Sequence, residues 1–198
     1  MLSDNPTIAD AVLPRSELLA LAHDLADAAA TKIRPHFRRT KSVENKDRGT
    51  GFDPVTVADK AAERAMRTLI RRRFPRHGIL GEEYAAFAST SRYRWVLDPI
   101  DGTRAFICGF PLWGVLIGLL DGDEPLLGMM DQPYTGERFW AAGAKAQMRR
   151  ADGKTQTLKT RPCRRLQDAV LVSTAPDMFK SAAEQSAFGL CVTARQRT

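Results

Sequence analysis

The sequence predicts an α+β fold, an antiparallel-rich sheet covered by helices, on three observations. Two amphipathic helical patterns come first, between Pro14 and Pro35 and between Thr56 and Pro75. From Gly78 the pattern changes to short apolar runs bounded by turn residues. The two kinds of segment do not alternate, which sets the chain apart from a Rossmann arrangement.

Pro14-Arg15-Ser16-Glu17 opens the first helix, and Leu18, Leu21, Ala22, Leu25 and Ala29 recur at helical spacing until Pro35 ends it. Residues 40–52 are polar and glycine-containing and read as a flexible loop. The second helix starts near Thr56 and turns Ala62, Met66, Leu69, Ile70 and Phe74 inward, with Pro75 and Gly78 closing it. Strands are expected at Gly78–Glu82, Arg94–Leu97, Trp113–Leu120, Leu126–Asp131 and Arg138–Ala141. Asp121-Gly122-Asp123 and Tyr134-Thr135-Gly136 supply turns between them. Shorter strands are expected at Thr157–Lys159 and Ala169–Ser173, and a helix after Pro176. The stretch from about Gly189 is polar and basic and does not read as a packed terminal element. No repeat or low-complexity linker interrupts the chain. Residues 1–150 are expected to form an α/β domain that carries the chemistry, and residues 151–198 the start of a truncated C-terminal α/β subdomain.

Apolar residues make up 43% of the 198 and charged residues 27%, enough to bury a core. The formal net charge is +7, with much of the excess in Arg64, Arg67, Arg71, Arg72, Arg73 and Arg76 around the second helix. Without basic–aromatic interleaving or a nucleic-acid motif, this reads as a solvated helix face, and nucleic-acid binding is rejected as the main function. Cys108, Cys163 and Cys191 lie far apart, and His23, His36 and His77 have no metal-ligand spacing, which argues against a zinc site and a disulfide framework. The N-terminus lacks a signal pattern, and the apolar block at 115–120 is far too short to span a bilayer; a cytoplasmic protein is expected.

The chemistry lies in three acidic clusters. Asp53-Pro54-Val55-Thr56-Val57-Ala58-Asp59 sits at the mouth of the second helix, Gly81-Glu82-Glu83 ends one strand, and Asp98-Pro99-Ile100-Asp101-Gly102-Thr103 ends the next. Singly, each has a plain structural explanation: an N-cap, a solvated turn, an Asp-Gly turn. Together they suit a hard divalent cation such as Mg²⁺, which takes carboxylates, carbonyls, water and phosphate oxygens. Asp98 shared between two ions, with Asp101 on one and Glu82 on the other, would form such a site, and the Ile100 carbonyl would add a ligand. Gly102 and Thr103 would open a short helix whose N–H groups bind phosphate.

The set D-P-V-T-x-A-D, G-E-E and W-V-L-D-P-I-D-G-T resembles the inositol monophosphatase superfamily of Mg²⁺-dependent, Li⁺-sensitive phosphomonoesterases, over about residues 15–180. The resemblance implies a layered α/β sandwich. It implies Glu82, Asp98, Asp101 and the Ile100 carbonyl as metal ligands, with Glu82 also catalytic. Asp53 and Thr103 resemble the pair that orients the attacking water, while Asp101, Gly102, Thr103 and Arg104 would meet the phosphate or substrate. Asp59 is expected to support helix geometry, and a homodimer is expected by resemblance alone.

Thr103-Arg104-Ala105-Phe106, Pro111-Leu112-Trp113-Gly114, Asp131-Gln132-Pro133 and the segment from Ser173 to Phe179 resemble the histidinol-phosphatase branch. They point to L-histidinol phosphate as substrate, with inositol monophosphate or another small sugar phosphate as the alternative. Trp113 reads as core and Arg104 as either a pocket or a surface residue. The resemblance also implies a late metal-ligand aspartate in a Trp-Asp-x-Ala-type motif, which this sequence lacks. Its absence predicts a weakly held second ion and reduced activity. A binding protein that keeps the fold is the alternative from another functional class.

Overall fold

The computed structural model describes residues 13–39, 43–45, 54–173 and 179–195. They fall into two compact units, Met1–Leu158 and Lys159–Thr198.

The first unit opens with α1 (Arg15–Ile33), a 3-10 turn (Arg34–His36) that takes up Pro35, and a small antiparallel pair of β1 (Glu44–Asn45) and β2 (Pro54–Val55). Glu44 and Asn45 are therefore paired backbone inside the segment expected to be loop; residues 40–42 and 46–52 lie outside the described residues. Helix α2 (Val57–Arg73) follows, capped by Thr56 and ended at the Phe74–Pro75 step, where proline lacks the N–H that another turn needs. The remaining elements are β3 (Gly78–Gly81), β4 (Tyr93–Asp101), the short α3 (Thr103–Ile107), β5 (Gly114–Asp121), β6 (Glu124–Gln132), β7 (Glu137–Ala142), β8 (Ala146–Arg149) and β9 (Thr155–Leu158).

Strands β3 to β9 form one seven-stranded sheet in chain order, parallel between β3 and β4 and antiparallel elsewhere. Period-2 alternation decides which face is covered. Tyr93, Trp95 and Leu97 on β4, Val115, Ile117 and Leu119 on β5, and Leu127 and Met129 on β6 are buried in one core with the two helices. Helix α1 contributes Leu18, Leu21, Ala22, Leu25, Ala29 and Ile33, and α2 contributes Ala58, Ala62, Met66 and Ile70. The intervening residues Val96, Leu116, Leu120, Met130 and Phe139 are only half-buried on the other face. The architecture is thus a layered α+β one, helices against a mixed sheet. Phe37, Phe106 and Trp113 pack ring on ring at 5.0–5.4 Å beside α3, so Trp113 is core.

Two network features anchor helices to the sheet. Arg138 of β7, buried, donates to Asp131 at 2.7 Å, to Asp27 of α1 at 2.6 Å and to the His23 carbonyl at 3.3 Å. On α2, Arg64 donates to the Tyr84 hydroxyl, Arg67 pairs with Glu63, and Arg71 lies over the Phe87 ring. Much of the basic face is therefore tied to the segment after β3.

In the second unit a 3-10 turn (Leu166–Asp168) and α4 (Ala182–Arg195) are the regular elements among the described residues. The expected strand over 169–173 does not form: these residues have no strand partner there. The tail from about Gly189, expected not to be a packed terminal element, is helical through Arg195, with Gly189, Leu190 and Thr193 exposed. Ser181 and Glu184 start that helix with reciprocal side chain–backbone hydrogen bonds at 2.9 and 3.2 Å.

Candidate active site

The parallel pairing of β3 with β4 brings the acidic clusters together. Gly81 pairs with Leu97, so the next residue along each strand is Glu82 on one and Asp98 on the other. Parallel strands end at the same edge, and these two end in carboxylates.

Asp98 and Asp101 are three residues apart, a spacing that in a regular strand would send them to opposite faces. The ladder with β5 corrects this. Asp98 pairs with Leu116 and Asp101 with Gly114, three steps against two, so β4 carries one extra residue over Pro99–Ile100. The bulge also suits Pro99, which has no N–H to give to a ladder. The strand then turns through Gly102 at φ +86°, where an added Cβ would stand 2.7 Å from the Leu112 carbonyl oxygen. Only glycine fits both the conformation and the space. Thr103 opens α3, and its hydroxyl donates to the Ile100 carbonyl at 3.0 Å, leaving that oxygen a second lone pair. Arg104 is exposed on α3.

Helix α2 supports this edge from below. The Thr56 backbone N–H and hydroxyl donate to Asp59 Oδ2 at 2.9 and 2.5 Å, and the Ala58 N–H donates to the Thr56 hydroxyl at 3.1 Å. Asp59 is thereby a capping residue, the role expected for it, though it is buried and close enough to Glu82 to feel its charge. Glu63, one turn on, is wholly buried. It accepts from the Glu83 N–H at 2.7 Å and from Arg67 Nε at 2.7 Å. Glu63 escaped the sequence reading; its one visible signal is a carboxylate next to the inward Ala62 and Met66.

Charge is concentrated here. Burial pushes the Asp98 carboxyl up to about 8, helped by the charge and hydrogen bond of Glu82 and the charge of Asp101. Burial also raises Asp59, against its hydrogen bonds to Thr56. Asp98 Oδ1 is buried with no hydrogen-bond partner among the described residues. A hard cation would satisfy that oxygen and offset the like-charge repulsion, so the donor set fits Mg²⁺ in kind. No three acidic, histidine or cysteine side chains among the described residues close on one point. Water and a substrate phosphate would therefore complete the coordination, as Mg²⁺ sites ordinarily require.

Of the residues singled out from sequence, Glu82, Asp98, Ile100, Asp101, Gly102 and Thr103 lie along this one edge, with Arg104 on the adjoining helix. Asp53 lies outside the described residues, as do residues 174–178 of the late motif.

Comparison with known proteins gives concordant results. The sequence profile described as inositol monophosphatase family matches residues 15–194. The bifunctional phosphatase IMPL2 of Arabidopsis thaliana is 40% identical over 169 residues, covering 84% of this chain and 47% of that protein. A Streptomyces coelicolor protein named histidinol-phosphatase is 42% identical over 128 residues, 62% of this chain and 47% of its own. The chain thus spans about half the length of these relatives. Among solved structures, an inositol monophosphatase from Zymomonas mobilis superposes with a TM-score of 0.76 at 36% identity, over 93% of this chain and 68% of that one. Among the described residues no helix is long and apolar enough to cross a membrane.

Proposed function

The chain belongs to the inositol monophosphatase family, and from that premise we propose a Mg²⁺-dependent phosphomonoesterase that hydrolyses L-histidinol phosphate to L-histidinol and phosphate. The observation that carries this reading is the shared strand edge of Glu82, Asp98 and Asp101, with a buried Asp98 oxygen left without a partner among the described residues. Glu82, Asp98, Asp101 and the Ile100 carbonyl would hold Mg²⁺. When bound, the cation lowers the pKa of a coordinated water and stabilises charge on the leaving oxygen.

The rest of the chemistry belongs to the chain. Gly102 and Thr103, where β4 turns into α3, would contact a phosphoryl oxygen. Thr103 holds the Ile100 carbonyl through its hydroxyl, and with Asp53 would orient the attacking water. Asp101 and Arg104 flank Gly102 and Thr103 and would face the substrate. A small phosphate ester is the partner that suits this edge, in a cytoplasmic enzyme that pairs with a second copy of itself.

Support for histidinol phosphate comes from Thr103-Arg104-Ala105-Phe106 and Pro111-Leu112-Trp113-Gly114, and from the 42% identity to the Streptomyces protein. Inositol monophosphate is the second reading, favoured by the long superposition on the Zymomonas inositol monophosphatase. Phosphate release from both esters, with and without Mg²⁺, in wild type and Asp98→Asn separates them. Mg²⁺-dependent release from histidinol phosphate that the variant loses is the expected result. Release from inositol phosphate alone would sink the substrate assignment. No release from a folded sample would point to a binding protein that keeps the fold.

A further inference from the structure

Beside the acidic edge lies a second buried carboxylate with a different task. Glu63 sits on α2 with no solvent exposure, in direct contact with the segment that carries Glu82. Its Oε2 accepts the Glu83 N–H at 2.7 Å and its Oε1 accepts Arg67 Nε at 2.7 Å. Arg67 in turn donates to the Tyr84 carbonyl at 2.9 Å, and the Tyr84 hydroxyl donates to the Lys60 carbonyl at 3.2 Å. Lys60, Glu63 and Arg67 share one face of the helix. That face grips the Glu82–Glu83 peptide by its N–H and the Tyr84–Ala85 peptide by its carbonyl, while the β3–β4 ladder fixes the residue just before Glu82.

Gly81 shows how close the grip is. It has no positive φ, so conformation does not demand a glycine there. Space does: a Cβ on Gly81 would lie 1.9 Å from Glu63 Oε1. The carboxylate occupies the volume a side chain would need, and burial of a charge at that cost is stable only because Arg67 and the Glu83 N–H pair with it.

We propose that Glu63 is a positioning residue for Glu82: by holding the Glu83 N–H from below, it sets the direction in which Glu82 meets a divalent cation shared with Asp98. The proposal rests on the cation-dependent reading above. Groups that orient ligands from behind typically change metal affinity by 10–100-fold.

The test is Mn²⁺ affinity of the full chain, by titration calorimetry or by the loss of the free-ion paramagnetic signal, alongside the thermal midpoint. Glu63→Gln keeps the reach and an acceptor oxygen but loses the charge; Glu63→Asp keeps the charge but falls a methylene short of the Glu83 N–H. Positioning predicts affinity within about threefold of wild type for Glu63→Gln and a 10–100-fold loss for Glu63→Asp. That loss should vanish when Glu82→Gln is already present, because the two residues act as one unit. The reverse order, a large loss with Gln and none with Asp, would overturn positioning in favour of bulk charge, as would a Glu63→Asp loss that persists in the Glu82→Gln background. Wild-type Mn²⁺ affinity in both Glu82→Gln and Asp98→Asn would overturn the cation reading itself. Should Glu63→Asp melt below the assay temperature, Glu83→Pro, which removes the N–H that Glu63 accepts, replaces it with the same expected loss.

Discussion

Gly102 and Leu112 are packed backbone to backbone: a Cβ on Gly102 would stand 2.7 Å from the Leu112 carbonyl oxygen, with the Trp113 Cα at 3.4 Å. This contact ties the turn after Asp101 to the start of β5, and through Trp113 to the aromatic core. The acidic edge and the folded core are therefore coupled at one glycine.

Gly102→Ala is expected to destabilise the chain and remove activity together. The left-handed backbone alone costs a non-glycine residue about 1–2 kcal/mol, and the carbonyl must also move to admit the methyl group. Denaturant unfolding should show a loss of about 2 kcal/mol or more. Wild-type stability would mean that the turn adopts another conformation.

The raised Asp98 carboxyl makes a second prediction, about pH. The folded chain holds its proton up to about pH 8, whereas the unfolded chain releases it near 3.8. The associated stability is thus full below about pH 4 and falls as pH rises toward 8, by at most about 1.4 kcal/mol per pH unit. His23, which burial and Arg138 hold below its ordinary 6.5, destabilises only on the acid side of that value. Between pH 6.5 and 8 the thermal midpoint of metal-free wild type should therefore fall. Mg²⁺, competing with the proton, should restore it. Asp98→Asn should flatten the slope and lose the Mg²⁺ response; a variant as steep as wild type would refute the assignment to Asp98.

How much of this edge is legible in the sequence depends on distance along the chain. Helices α1 and α2 show in the period of Leu18, Leu21, Leu25 and of Ala62, Met66, Ile70, and the hairpins show in turn residues such as Asp121-Gly122-Asp123. The acidic motifs are legible because each is local. Their convergence is not: nothing near Gly81 or Leu97 says that their strands pair in parallel, and the extra residue at Pro99–Ile100 emerges only from the ladder with β5. Strand β8 is missed because Ala-Gln-Met-Arg has little β preference and forms against the free edge of β7. The helix expected after Pro176 does form, started by Ser181 and Glu184, but its continuation past Gly189 is not legible, because glycine is a poor helix former in a helix interior.

Arg138 gives a third prediction. Its guanidinium is buried between Asp131 and Asp27, so Arg138→Met leaves Asp131, itself 5% exposed, without its partner. Breaking such a pair from one side typically costs about 3–5 kcal/mol, whereas removing both charges costs far less. Arg138→Met/Asp131→Asn should accordingly recover part of the stability lost in Arg138→Met. Equal unfolding midpoints for the single and double variants would show that Asp131 is not the group left stranded.

Gly81 provides the last, and it isolates packing from chemistry. Gly81→Ala places a methyl carbon 1.9 Å from Glu63 Oε1, and relief requires the buried carboxylate to leave the Glu83 N–H and Arg67 or Gly81 to leave the β3–β4 ladder. The substitution should cost more than the ordinary 1–3 kcal/mol of an overpacked core site, at about 3 kcal/mol or above. Glu63→Ala alone is also destabilising, because it strands the Glu83 N–H and leaves Arg67 unpaired. Combined, the two changes should interfere favourably, since the methyl group enters space the carboxylate has left. Unfolding free energies of the four chains in the cycle should therefore give a coupling of about 1–3 kcal/mol in favour of the double variant. Additive losses would mean that the collision is relieved by movement of β3 itself, and Glu82 would then have to move with it.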